Sequence, residues 1–135
     1  MSNIDRRILF QDFKLKQLPD GHCEARVVLT WQGNMFVGQA QATDSPTGQL
    51  RCAADAAVAA LMEAVSDRIS IDLLGVKSIK AFDAMVIVVS LTAREEGGVQ
   101  RLVGSCIVQA NPANGAALAV LNATNRVIGN LISTR

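Results

Sequence analysis

Val37-Gly38-Gln39-Ala40-Gln41-Ala42, followed by Ser45-Pro46 and an alanine-rich run, is echoed 66 residues later by Val103-Gly104-Ser105-Cys106-Ile107-Val108, followed by Asn111-Pro112 and a second such run. Ala53 and Ala57 recur as Ala119 and Ala123 at the same offset. Upstream, Val28-Leu29-Thr30 matches Ser90-Leu91-Thr92 at an offset of 62, so the hairpin between the two matched stretches is four residues longer in the second copy. The pattern reads as a duplicated unit within one domain spanning residues 1–135, with repeats over about 8–66 and 69–133.

Each copy carries its own signals for secondary structure. Ile8 to Gln17 reads as a strand closed by Pro19-Asp20-Gly21, where proline presets one dihedral and glycine supplies the other. From Cys23 to Trp31, apolar Cys23, Ala25, Val27, Leu29 and Trp31 alternate with Glu24, Arg26 and Thr30, the two-residue period of a half-buried strand. Gln32-Gly33-Asn34 turns the chain into a third strand, Met35 to Ala42. Asp44 or Ser45 then caps a helix whose first turn holds Pro46, where a missing N–H costs nothing. Its stripe of Leu50, Ala53, Ala57, Leu61 and Val65 predicts a buried face, with Arg51, Asp55 and Glu63 on the wet side. Ala54, Ala56, Ala59 and Ala60 keep the remaining surface small enough for close approach.

The second copy repeats this order, with strands over 69–81, 85–94 and 99–110, and a helix from Asn111-Pro112 to about Ile132. Ala116, Ala119, Ala123, Val127 and Leu131 form its expected buried stripe. The string is βββα-βββα, an α+β arrangement in which two helices cover antiparallel sheets related by a pseudo-twofold.

Half of the residues are apolar and 19% are charged, against about 25% charged in an average soluble domain. That excess predicts self-association, as a homodimer or higher homo-oligomer. The formal net charge is +1, with no run of like charges to attract nucleic acid or an anionic membrane. Ile8-Leu9-Phe10-Gln11-Asp12 after Arg6-Arg7 is no signal peptide, and no stretch is long enough to span a bilayer, so a cytoplasmic location is expected.

No catalytic constellation is legible. His22 is the one histidine and has no partner in the sequence pattern; it reads as a solvated turn residue. Cys23, Cys52 and Cys106 are odd in number and widely spaced, which argues against a disulfide framework or a metal site, and they read as small core residues. Cys52 near a helix start is the one thiol whose position favours reactivity. Nucleotide-loop, dinucleotide and serine-hydrolase motifs do not occur, and no cofactor is expected. Helix one to helix two is also the α-β-β-β-α order of a double-stranded-RNA-binding domain. The second helix start, Pro112-Ala113-Asn114-Gly115-Ala116-Ala117, lacks the lysines that phosphate recognition needs.

The helix starts carry the strongest hint of binding. Thr43-Asp44-Ser45-Pro46-Thr47-Gly48 and Asn111-Pro112-Ala113-Asn114-Gly115 both present backbone N–H groups suited to a small anion or carboxylate. Asp44, Ser45, Thr47 and Gly48 at one start, with Asn111, Asn114 and Gly115 at the other, are the expected ligand-binding positions. Asn122, Asn125, Arg126 and Asn130 form a polar set on the second helix, expected to be solvated or interfacial.

The tandem βββα order, together with the tail Ala119-Val120-x-x-Ala123-x-Asn125-Arg126, resembles the C-terminal regulatory domain of 2-isopropylmalate synthase and citramalate synthase over residues 23 to 132. The resemblance implies two units paired about a pseudo-twofold, dimerisation, and binding of leucine or isoleucine near the first helix start. The family's Gly-x-Gly-Pro turn falls on Thr43-Asp44-Ser45-Pro46, where the proline matches and both glycines are replaced. The catalytic barrel of those synthases has no counterpart in this sequence. The expected function is therefore that of a non-catalytic, self-associating domain that binds an amino-acid-like metabolite. A structural or partner-binding role without ligand is the alternative. An enzyme of unrecognised type comes third, and would turn on Asp44, Cys52 and His22.

Overall fold

Eight elements follow in the order expected from the repeat, in a computed structural model that describes residues 7–65 and 69–133. Strands β1 (Leu9–Gln17), β2 (His22–Trp31) and β3 (Asn34–Thr43) form one antiparallel sheet, ordered β1-β2-β3, and helix α1 (Pro46–Val65) follows it. Strands β4 (Ser70–Ala81), β5 (Ala84–Glu95) and β6 (Gly98–Ile107) form the second sheet, ordered β4-β5-β6, followed by α2 (Pro112–Ser133). The last strand stops three residues short of the expected Ala110, because the chain must leave the sheet before Asn111 can cap α2.

Register shows where the two sequence offsets come from. Val28 pairs with Val37 in the first sheet and Ser90 with Val103 in the second, so the four extra residues divide equally between β5 and β6 beyond that pair. Both sheets also carry a bulge at the same place. Gln11 bulges between Phe10 and Asp12 opposite β2, and Leu74 bulges between Leu73 and Gly75 opposite β5. Two-residue turns with both central residues at positive φ close the β2–β3 and β4–β5 hairpins: Gln32 and Gly33 in one, Phe82 and Asp83 in the other.

The alternation read in the second strand is the buried face. Cys23, Ala25, Val27 and Leu29 of β2 lie inward, as do Ile87, Val89, Leu91 and Ala93 of β5. Helix α1 packs on β2 and β3, α2 on β5 and β6, and the helices pack on each other. Each helix also reaches the other unit, α1 touching β4 and α2 touching β1, which is the contact pattern a twofold exchange of units requires. One continuous core results, running through both units.

The repeated glycines explain why both helices are rich in alanine. A Cβ on Gly38 would collide with the Ala56 carbonyl oxygen and the Ala60 nitrogen, and one on Gly104 with the Ala119 carbonyl oxygen and Ala123. Helix backbone thus rests directly on strand backbone, and the small residues of α1 meet β3. The contacts are out of step by three residues, since Ala119 corresponds to Ala53 of α1, not to Ala56.

The stripe on α1 is buried as expected, and Ala116, Ala119, Ala123 and Val127 of α2 are buried too. The side chains of Arg126, Asn130 and Leu131 lie outside the described residues. Asn122 is exposed, as expected of a solvated face, whereas Asn125 is half-buried and holds the chain to β1. Asn125 accepts from the Ile8 N–H at 3.2 Å and donates to the Ile8 carbonyl, clamping the chain ahead of β1, while Asn122 Nδ2 donates to the Ser105 carbonyl at 3.0 Å.

Candidate functional site at the second helix start

At the start of α1 the chain satisfies its own groups. Ser45 is the cap: the Gly48 N–H donates to its Oγ at 3.0 Å and the Gln49 N–H to its carbonyl at 2.8 Å. Asp44 is occupied as well, because Gln17 Nε2 and Gln49 Nε2 each donate to its carboxylate at 2.8 Å. Gly48 faces the Thr43 carbonyl so closely that no Cβ would fit, which makes it a packing glycine. Thr47 is exposed and within 3.5 Å of the Ser45 hydroxyl. The expectation that this start offers free N–H groups to a ligand is therefore corrected for Asp44, Ser45 and Gly48.

The start of α2 begins in the same way and then departs from it. Asn111 Oδ1 accepts from the Ala113 N–H at 2.9 Å and the Asn111 carbonyl from the Gly115 N–H at 3.1 Å. Gly115 is buried, with Ile87 3.4 Å from where its Cβ would stand, so it serves packing and not ligand contact. Asn114 differs from both. Its Oδ1 is buried with no hydrogen-bond partner among the described residues. Native structures leave few such atoms.

Asn114 opens onto a cleft of about 350 Å³ between α2 and the bulge in β1, lined by Phe10, Gln11, Asp12, Phe13, Asn111 and Asn114. The bulge makes the cleft polar at this point, because it interrupts the alternation and brings Gln11 and Asp12 beside the helix start. At the corresponding junction of the first copy, Arg51 Nη2 of α1 donates to the carbonyl of Leu73 at the β4 bulge, 3.3 Å away. The residue that corresponds to Arg51 in α2 is Ala117, which is buried and too short to span that gap. One copy is bridged and the other is open.

The three other groups singled out in the sequence lie elsewhere. His22 is exposed and does have a partner, with Nδ1 3.1 Å from Asp20 Oδ1 in the preceding turn. Cys52 is fully buried, and burial first, then the neighbouring Cys23 thiol, push its pKa from 9.0 to about 12. A thiol so raised stays protonated at neutral pH while the fold is closed around it, whatever its place on the helix. Cys106 is half-buried at the rim of the second sheet. Among the described residues, no group of three or more His, Cys, Asp or Glu side chains is placed to hold a metal ion, and no helix is long and apolar enough to cross a membrane.

No protein-family model matches this chain, and no curated protein matches it.

A second surface separates the copies. Ile79, Val86 and Ile107 lie side by side across β4, β5 and β6 on the face turned away from the helices, with Ile79 45% and Ile107 56% exposed. The corresponding row of the first sheet is Lys16, Glu24 and Gln41. There Lys16 Nζ pairs with Glu24 at 3.4 Å and Gln41 Nε2 donates to the same carboxylate at 3.4 Å. One sheet presents an ion-paired row and the other an apolar band, bordered by the mixed row Lys77, Val88 and Ser105, with Val103 exposed farther along β6.

Proposed function

We propose that this chain is a non-catalytic, self-associating domain that binds a small amino-acid-like metabolite in the cleft between the β1 bulge and the start of α2. The observation that carries this reading is the unpartnered Asn114 Oδ1. A buried acceptor without a donor costs about 1–3 kcal/mol, which a ligand N–H would recover. An ammonium group fits best, because the Asp12 carboxylate lines the same cleft and would favour a cation. The dipole at the start of α2 favours a ligand carboxylate nearby, although Asn111 takes the Ala113 and Gly115 N–H groups, and Phe10 and Phe13 supply apolar walls for a side chain. The resemblance to the regulatory domain of the 2-isopropylmalate and citramalate synthases favours the same class of ligand, placed at the other helix start from the family's.

A thermal-shift screen of amino acids and related acids tests the reading. At least one should stabilise the wild type, and Asn114→Ala should weaken that ligand at least tenfold while leaving the unliganded fold intact. Silence across the panel would overturn it.

Self-association rests on the apolar band of the second sheet. A second copy of the chain is the occupant proposed, because the row is charged in one repeat and apolar in the other, and an apolar row left in water favours association. The alternative, a partner-binding module without ligand, is favoured by the same band. It would be distinguished by a band-dependent complex together with an empty cleft.

A further inference from the structure

Cys23 at the start of β2 and Cys52 in the second turn of α1 face each other inside the first unit, with their sulfurs 3.6 Å apart and both residues fully buried. Each thiol is otherwise held only weakly, Cys23 donating to the Thr43 carbonyl at 3.7 Å and Cys52 to the Gln49 carbonyl at 3.6 Å. The architecture does not call for thiols here. The second repeat carries Met85, which is exposed, and half-buried Leu118 at the corresponding positions, so the repeat forms without a buried thiol pair there. Moreover, the pair lies directly beneath the first helix start, where Gln49 and Gln17 converge on Asp44.

We propose that Cys23 and Cys52 are a dithiol site that closes to an intrachain disulfide by exchange with a low-molecular-weight disulfide, pinning the start of α1 to β2. The sulfurs must approach from 3.6 Å to roughly 2.0 Å, by rotation about the Cα–Cβ bonds together with the give of the opened helix start. Both are shielded in the closed fold, so exchange begins when the first turns of α1 open, as helix ends do more readily than cores. One cysteine loses its proton and attacks the small disulfide, whose S–S bond breaks and whose departing sulfur takes up a proton. The second cysteine then attacks the mixed disulfide, forming the Cys23–Cys52 bond and releasing a second small thiol. Two protein thiols are oxidised, and one small disulfide is reduced to two thiols. Cys106, on the other sheet, takes no part. The site stands independently of ligand binding in the α2 cleft.

The test is incubation of the folded full-length chain with excess glutathione disulfide at mildly alkaline pH, followed by alkylation and non-reducing peptide mapping. The expected product is a Cys23–Cys52 cross-link, formed equally in Cys106→Ser, with a melting temperature higher by roughly 10 °C for a loop of this length and restored by reductant. Three results would overturn the proposal: cysteines 23 and 52 both remaining alkylatable after prolonged exchange, a bridge that includes Cys106, or a Cys23–Cys52 bond that forms only from the urea-unfolded chain.

Discussion

Gly38 and Gly104 set the distance between each sheet and its helix. Neither has a positive φ, so their role is steric and not conformational. Gly38→Ala should destabilise the chain by about 1–3 kcal/mol, as overpacking does in a tight interior, and Gly104→Ala by a similar amount; urea unfolding measures both. Cys52 makes a different prediction, in pH. Its folded pKa of about 12 lies above the ordinary 9.0, so between those values the folded chain holds a proton that the unfolded chain has released. The contribution is complete below pH 9 and is lost as pH rises toward 12. Unfolding free energies measured across that range should fall with pH, and the fall should be shallower in Cys52→Ala. The glycine echo was visible in the sequence as a repeat, but that each one lies under a helix was not, because sequence spacing carries no information about which backbone crosses which.

Among the elements, β1 is the one held least by its own apolar pattern. It is an edge strand like β3, β4 and β6, but unlike them it has no buried residue. Asn125 compensates at the start of the strand by bonding both backbone groups of Ile8. Asn125→Ala should cost about 1–2 kcal/mol and should selectively raise hydrogen exchange at Ile8 and Leu9. A uniform rise over the whole chain would point instead to general destabilisation. Asn125 was legible as part of a polar set on α2 but not as a clamp, since its partner is 117 residues away in sequence. The β1 bulge was likewise hidden. Phe10-Gln11-Asp12-Phe13 has no glycine or proline to announce an irregularity, and only the pairing with β2 places Gln11 outside the ladder. The candidate cleft therefore takes in Gln11 and Asp12, which the sequence did not single out, while Gly48 and Gly115 serve packing.

At the scale of the molecule, the two units share a core but not a surface. If the apolar band of the second sheet joins two copies, size-exclusion chromatography with light scattering should give a dimer mass for the wild type. Ile79→Lys combined with Ile107→Lys should give a monomer with a melting temperature changed little, because both side chains face away from the core. A wild-type monomer at high concentration would sink the self-association proposal.

The amino-acid sequence alone determined the element order, the twofold repetition, the buried faces of β2 and α1, and the extra length in the second copy. These follow from periodicity, caps and turn residues, which act over a few positions. The tertiary structure decided which helix start is sealed and which stays open. Ser45 and Asn111 cap their helices alike, yet Arg51 bridges to one bulge while Ala117 leaves the other uncovered, and the helices cross their glycines three residues out of step. That difference depends on how one unit packs against the other, a relation between distant residues that no local pattern encodes.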